Sequence, residues 1–174
     1  MRFGILTVSD RSSREERDDR SGPALVQMVE AQGWQASRRQ VVADERPMIE
    51  SVLSAWADAG DLDVILTTGG TGFAPRDVTP EATRAVVERL TPGLDEAMRL
   101  ASLQVTPHAM LSRAVSGIRK RALIINLPGS PKAATENLQV LLPVLGHALE
   151  LLRDEPDSEQ GHSPSLPPQA GGPL

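Results

Sequence analysis

The sequence predicts a three-layer α/β domain with a largely parallel sheet and an antiparallel hairpin at one edge. Strand-like runs alternate with amphipathic helical patterns along the chain, which is the signature of helices packed on both faces of a sheet. Two of those runs, Val64 to Leu66 and Ala122 to Leu127, are apolar at nearly every position, as strands buried on both faces must be. Each apolar strand also empties into a segment of special residues, Thr67-Thr68-Gly69-Gly70-Thr71-Gly72 in one case and Pro128-Gly129-Ser130-Pro131 in the other. With 174 residues the chain is long enough for one such core, assigned to residues 1–153.

Phe3 to Val8 is the first strand, followed by Ser9-Asp10 and a charged, solvated stretch from Arg11 to Arg20. Ser21-Gly22-Pro23 opens a helix with Leu25, Met28, Val29 and Gln32 on one face, and Gly33 is placed to end it. Gln35 to Val42 is a second strand, polar enough for a sheet edge. Asp44 precedes a helix that carries Pro47 in its first turn and Ile49, Val52, Leu53 and Trp56 on its core face. After the strand at Val64, Thr79-Pro80-Glu81 gives an N-cap, a proline at the first helical position and an acid in the first turn, for a helix to about Leu90. A further helix turns Leu94, Ala97, Met98, Ala101 and Val105 inward and ends at Pro107, with Asp95 and Glu96 near its positive end. Ala114 to Ile118 pairs with Ala122 to Leu127 across the basic turn Arg119-Lys120-Arg121. Lys132 to Arg153 is helical, bent or restarted at Pro143, with leucines from Leu138 to Leu152 facing the core. Residues 154–174, rich in Pro, Gly and Ser, have the composition of a disordered tail.

Composition excludes several function classes. With no cysteine, disulfides, thiolate nucleophiles and Cys-based zinc or iron–sulfur sites are ruled out. A net charge of -5 argues against a general nucleic-acid binder, which needs a basic face. No secretory signal and no apolar run near membrane-spanning length is found, so a cytoplasmic protein without membrane contact is expected. His108, His147 and His162 are scattered without the spacing of a metal site.

The candidate site centres on the loop between Thr68 and Thr79, about ten residues long where two to six are usual. Gly69, Gly70 and Gly72 allow consecutive N–H groups to converge on an oxyanion, and Thr71 adds a hydroxyl. Asp77 offers a carboxylate that repels a phosphate directly but can hold a divalent cation that binds one. The pattern is neither a P-loop nor a dinucleotide fingerprint. Taken alone, the loop also fits a mobile turn with a solvated Asp77, and Asp44 fits a helix N-cap. The fold weighs against those bland readings. Ligands in such sheets sit beyond the carboxyl ends of the strands, and Ser9, Asp10, Asp44, Gly69 to Asp77, Gly129 and Ser130 all follow strands.

Taken in order, TVSDR with a downstream SGP, LTTGGTG, RDVTPEAT, PGLDEAMR and LSRAVSGIRKRALIINLPGSPKA resemble the molybdopterin adenylyltransferase family of molybdenum cofactor biosynthesis, over about residues 3–153. The resemblance implies an α/β domain, usually a homotrimer, that adenylylates molybdopterin with ATP as co-substrate and Mg²⁺. It implies catalytic and metal-holding roles for Asp44 and Asp77 and places Thr71 with Gly69, Gly70 and Gly72 in a loop that holds a nucleotide or pterin phosphate; Ser9, Asp10, Gly129 and Ser130, brought to the same edge by the fold, and Ser112 are candidate binding residues beside them. Ser112 and Arg113 match a family motif whose purpose the residues do not reveal. In the implied reaction a terminal phosphate of molybdopterin attacks the α-phosphate of ATP and displaces pyrophosphate, so positioning and charge neutralisation do the work. Two other classes stay open at this level. The direct run from PGSPKA into the last helix, shorter than in the longer bacterial form, also suits a non-catalytic molybdopterin-binding or scaffold module, and the loop with its acids suits a nucleotide hydrolase.

Overall fold

A computed structural model describes residues 1–153; the expected tail lies outside the described residues. In chain order the elements are β1 (Arg2–Val8), α1 (Asp10–Ser13), α2 (Ser21–Ala31), β2 (Gln35–Val42), α3 (Arg46–Asp58), β3 (Val64–Thr68), α4 (Thr79–Val86), β4 (Arg89–Leu90), α5 (Pro92–Leu103), a 3-10 turn (Pro107–Leu111), β5 (Ser116–Arg119), β6 (Ala122–Leu127) and α6 (Pro131–Arg153). The six strands form one sheet in the order β2-β1-β3-β6-β5-β4. The first four run parallel, while β5 is antiparallel to β6 and β4 antiparallel to β5.

Alternation along the strands divides the core into two layers. Phe3, Ile5, Val64, Leu66, Leu123 and Ile125 face α2, α5 and α6, where they meet Leu25, Val29, Met98 and the buried leucines 138, 141, 145 and 149. Leu6, Val8, Ile65 and Ile124 face the opposite way, onto Ile49, Leu53, Trp56, Ala82 and Val86 of α3 and α4. Sandwiched this way, β3 and β6 are buried at every position, and β2 takes the polar edge that its composition calls for.

Asn126, the polar interruption in β6, is completely buried and lies on the α4 side of the sheet. Its amide nitrogen donates to the hydroxyls of Thr67 (2.9 Å) and Thr83 (2.8 Å), and its oxygen accepts the Val115 amide. It therefore ties β3, β6, α4 and the start of β5 together without leaving a buried polar atom unpaired.

Several local expectations are corrected. The helix at Thr79 stops at Val86 instead of about Leu90, because Arg89 and Leu90 pair with β5, with Glu88 N–H donating to Ile118 and Thr91 N–H to Ser116. The β5–β6 hairpin therefore lies one strand in from the edge. Thr79 is not an N-cap: it sits inside α4, and its hydroxyl donates to the Gly69 carbonyl at 2.9 Å. Val105 lies past the end of α5 and is 68% exposed, and Pro107 opens the 3-10 turn. Pro143 is accommodated within α6, which runs unbroken for 23 residues.

Candidate functional site

The carboxyl ends of β1, β2, β3 and β6 meet at one rim of the sheet. Ser9, after β1, accepts the Ser12 amide and caps α1. Asp10 and Asp44 then lock the β1 and β2 ends together reciprocally. The Asp10 amide donates to Asp44 Oδ2 at 2.6 Å, and the Asp44 amide donates to Asp10 Oδ1 at 3.1 Å. Asp44 is therefore not the cap of α3, a position held by Glu45.

Arg76, in the glycine-rich loop, forks onto both oxygens of Asp10 (2.9 and 2.8 Å) and reaches Glu45 at 3.0 Å. The guanidinium holds the Asp10 carboxyl below its ordinary range. Asp44 is shifted the other way, chiefly by burial and further by the charges of Asp10 and Asp77, against the Asp10 amide that stabilises its anion. Asp10 and Asp44 are thus joined at the rim, the first stabilised as an anion and the second in an environment that resists its charge.

The loop is built by backbone geometry that only glycine takes easily. Gly69 and Gly70 have φ of 104° and 63°. A Cβ on Gly69 would lie 2.2 Å from the Val8 carbonyl oxygen, so β1 and the loop touch with no room for a side chain. The Gly69 amide is occupied, donating to Leu127 at 3.2 Å. Asp77 folds back over the loop, Oδ2 accepting the Ala74 amide at 2.9 Å. Ser130 accepts the Ala133 amide at the start of α6.

The candidate residues divide between two cavities. A polar one of about 370 Å³ is lined by Ser9, Asp10, Asp44, Gly69, Gly70, Asp77, Gly129 and Ser130. A mainly apolar one of about 280 Å³ is bounded by Thr71, Gly72 and Ser112, together with Met98, Val105 and Leu111. The strip from Gly70 to Gly72 is the partition between them.

Arg113 fastens that partition. Its amide donates to the Thr71 carbonyl at 2.9 Å, and its Nε donates to the Gly72 carbonyl at 2.7 Å. Its terminal nitrogens reach the Asp77 carbonyl and the Glu81 carboxylate. Arg76 and Arg113 are the contributors that sequence reasoning did not assign. Arg113 is visible in the sequence only as part of a motif, and the acceptors of its side chain lie 32 to 41 residues away.

No group of three or more His, Cys, Asp or Glu side chains able to hold a metal converges among the described residues. A two-carboxylate Mg²⁺ site is compatible with that, because Mg²⁺ keeps several waters and takes substrate phosphates as its remaining ligands. Asp44 and Asp77 fit such an ion: each is a hard oxygen donor with one oxygen engaged by a backbone amide, and a cation between them relieves their repulsion.

Fold and rim together define an α/β protein with an acidic, glycine-lined cavity at the carboxyl ends of a mainly parallel sheet. A family model described as a probable molybdopterin binding domain matches residues 4–147, and the chain belongs to that family. It is similar to the molybdopterin adenylyltransferase of Helicobacter pylori strain J99, with 41% identity across 86% of each chain. It is 46% identical to the gephyrin of Dictyostelium discoideum over 89% of this chain, which is only 23% of that longer protein. Among solved structures it is similar to the molybdopterin biosynthesis enzyme MoaB of Thermus thermophilus, with 53% identity, a TM-score of 0.83, and coverage of 88% of this chain and 97% of that one.

Proposed function

We propose that this protein transfers the adenylyl group of ATP to molybdopterin with Mg²⁺, releasing pyrophosphate. The observation that carries the reading is the pair of cavities separated by one glycine-built strip, with Asp44 and Asp77 both lining the polar one. Two substrates that join through their phosphates need two seats with the reacting phosphates between them. In the reaction a terminal phosphate oxygen of molybdopterin bonds to the α-phosphorus, the bond from that phosphorus to the bridging oxygen breaks, and the electron pair leaves with pyrophosphate.

The protein supplies alignment and charge balance rather than a nucleophile. Asp44 and Asp77 would hold Mg²⁺, which neutralises charge on the transferring and leaving phosphates. Unused amides of the strip and the hydroxyl of Ser130 would orient phosphate oxygens. Asp10 serves by fixing Asp44, since Arg76 already occupies its oxygens. The adenylyltransferase name of a relative that matches this chain along most of its own length favours turnover over a scaffold.

A homotrimer in the cytoplasm belongs to the same reading. Support for self-association comes from exposed apolar side chains, Leu100, Val105 and Met110, grouped along α5 and the 3-10 turn. The deciding experiment is pyrophosphate release from ATP and Mg²⁺ with and without molybdopterin. Release only with molybdopterin supports the reading; release without it indicates a hydrolase, and none under either condition a binding module.

A further inference from the structure

Arg113 is bonded to parts of the chain that belong to both cavities. It follows Ser112, a wall residue of the apolar cavity, and the 3-10 turn that supplies Leu111 and His108 to the same wall. Its amide and side chain hold three carbonyls of the glycine loop, those of Thr71, Gly72 and Asp77, and its other arm holds Glu81 in the first turn of α4. A planar guanidinium is suited to this, because its donors diverge in fixed directions while a lysine ammonium is a point donor. The loop has no regular secondary structure between Thr68 and Thr79, so discrete hydrogen bonds set where the Asp77 backbone lies. The other ties near Asp77 are its N–H to the Ala74 carbonyl, the Ala74 N–H to its carboxylate, the Thr79 N–H and hydroxyl to the Gly70 and Gly69 carbonyls, and the fork of Arg76 onto Asp10 and Glu45, while the Asp77 carbonyl itself is held by Arg113.

We propose that Arg113 is a positioning residue that fixes the Asp77 carboxylate relative to Asp44, and that through it the segment lining the apolar cavity is mechanically linked to the acidic site. Arg113 does not line the polar cavity and is not assigned a contact with substrate. It acts through the carbonyl of Asp77 on one side and through the chain direction of residues 111–114 on the other. Filling the apolar cavity presses on the same segment that holds Asp77, so the second substrate completes the acidic site as it binds.

The inference rests on the adenylyl-transfer reading for its kinetic test but not for its structural one. In full-length protein, Arg113→Lys keeps the charge and the backbone bond to Thr71 but cannot hold the Gly72 carbonyl, the Asp77 carbonyl and Glu81 at once. Its kcat is expected to fall about 10- to 100-fold, the scale set by ångström-level misplacement. KM for ATP and molybdopterin should stay within about threefold, while the Mg²⁺ concentration for half-maximal rate rises, a split that general loss of fold would not give. Glu81→Gln, which leaves the carbonyl contacts in place, should lose less than Arg113→Lys. Hydrogen exchange of the amides from Gly70 to Val78 in the ligand-free protein supplies a readout independent of turnover, and should quicken in Arg113→Lys with the strands unaffected. An inactive wild type overturns the transfer reading alone, leaving exchange to judge the positioning role. Unchanged loop exchange, or wild-type kcat and Mg²⁺ dependence in Arg113→Lys, overturns the role of Arg113.

Discussion

Asp44, Asp77 and Asp95 are acids of one chemical type in three settings. Asp77 stands at the end of the loop with one oxygen tied to the Ala74 amide, so Asp77→Asn preserves shape while removing charge. Turnover of that variant is expected to fall by roughly two to three orders of magnitude, the effect of losing one preorganised electrostatic contact, with molybdopterin binding retained. Wild-type turnover in Asp77→Asn, measured as pyrophosphate release, would remove this carboxylate from the mechanism. Asp95 is outside the acidic site and only 5% exposed, accepting the Ser116 amide at 2.9 Å and its hydroxyl at 2.6 Å. Burial pushes its carboxyl above the ordinary range, opposed by those two donors and by Arg99 and Arg84. A raised folded-state pKa means that stability is fully present below the unfolded value, about 3.9, and declines as pH rises through the folded one. The thermal midpoint of Asp95→Asn relative to wild type should therefore climb as pH rises above the ordinary carboxylate range, and a constant gap by calorimetry would contradict this.

Among the elements, the glycine loop and the short edge strand show how packing overrides local preference. Gly69 combines a positive φ with a Cβ position against the Val8 carbonyl, backbone on both sides, so no flexible side chain can yield. Gly33 has a φ of 73° but open space around it, where it closes α2. Gly33→Ala should cost about 1 to 2 kcal/mol, the penalty of the left-handed conformation alone. Gly69→Ala should cost clearly more and lower activity as well, since it displaces the partition. Chemical denaturation of the two variants checks the order, and equal losses would show that the contact with β1 relaxes freely. The edge strand β4 has only two residues, both exposed, and exists because β5 offers it backbone partners. No periodicity within Arg89-Leu90 could have announced it.

At the scale of the whole molecule, one sheet covered on both faces concentrates its loops at a single rim, and the site follows from that topology. Residues 154–174 carry few apolar side chains with which to extend a core. Truncation after Arg153 is therefore expected to leave the thermal midpoint nearly unchanged; a large drop would mean that this segment packs on the domain or on a neighbouring subunit. The cut spares the Arg153 contact with Asp63 at 2.9 Å, which ties the end of α6 to the start of β3.

What the sequence determined by itself was whatever depends on local pattern. The bounds of β2 and β6 coincide with those read from apolar and alternating runs, and the parallel α/β class followed from their alternation with helices. The rim residues could be gathered because strand ends in a parallel sheet must lie on one side. Tertiary structure decided the pairing chemistry. Asp10 locks Asp44 across 34 residues of chain, Arg76 reaches Asp10 across 66, and Arg113 reaches Gly72 across 41, none of which leaves a periodic trace. It also decided that Thr71, Gly72 and Ser112 bound a different cavity from Asp44 and Asp77. Local spacing dictates which residues arrive at an edge, but which side of a loop each one faces depends on backbone turns at Gly69 and Gly70 and on the distant arginine that holds Thr71, Gly72 and Asp77.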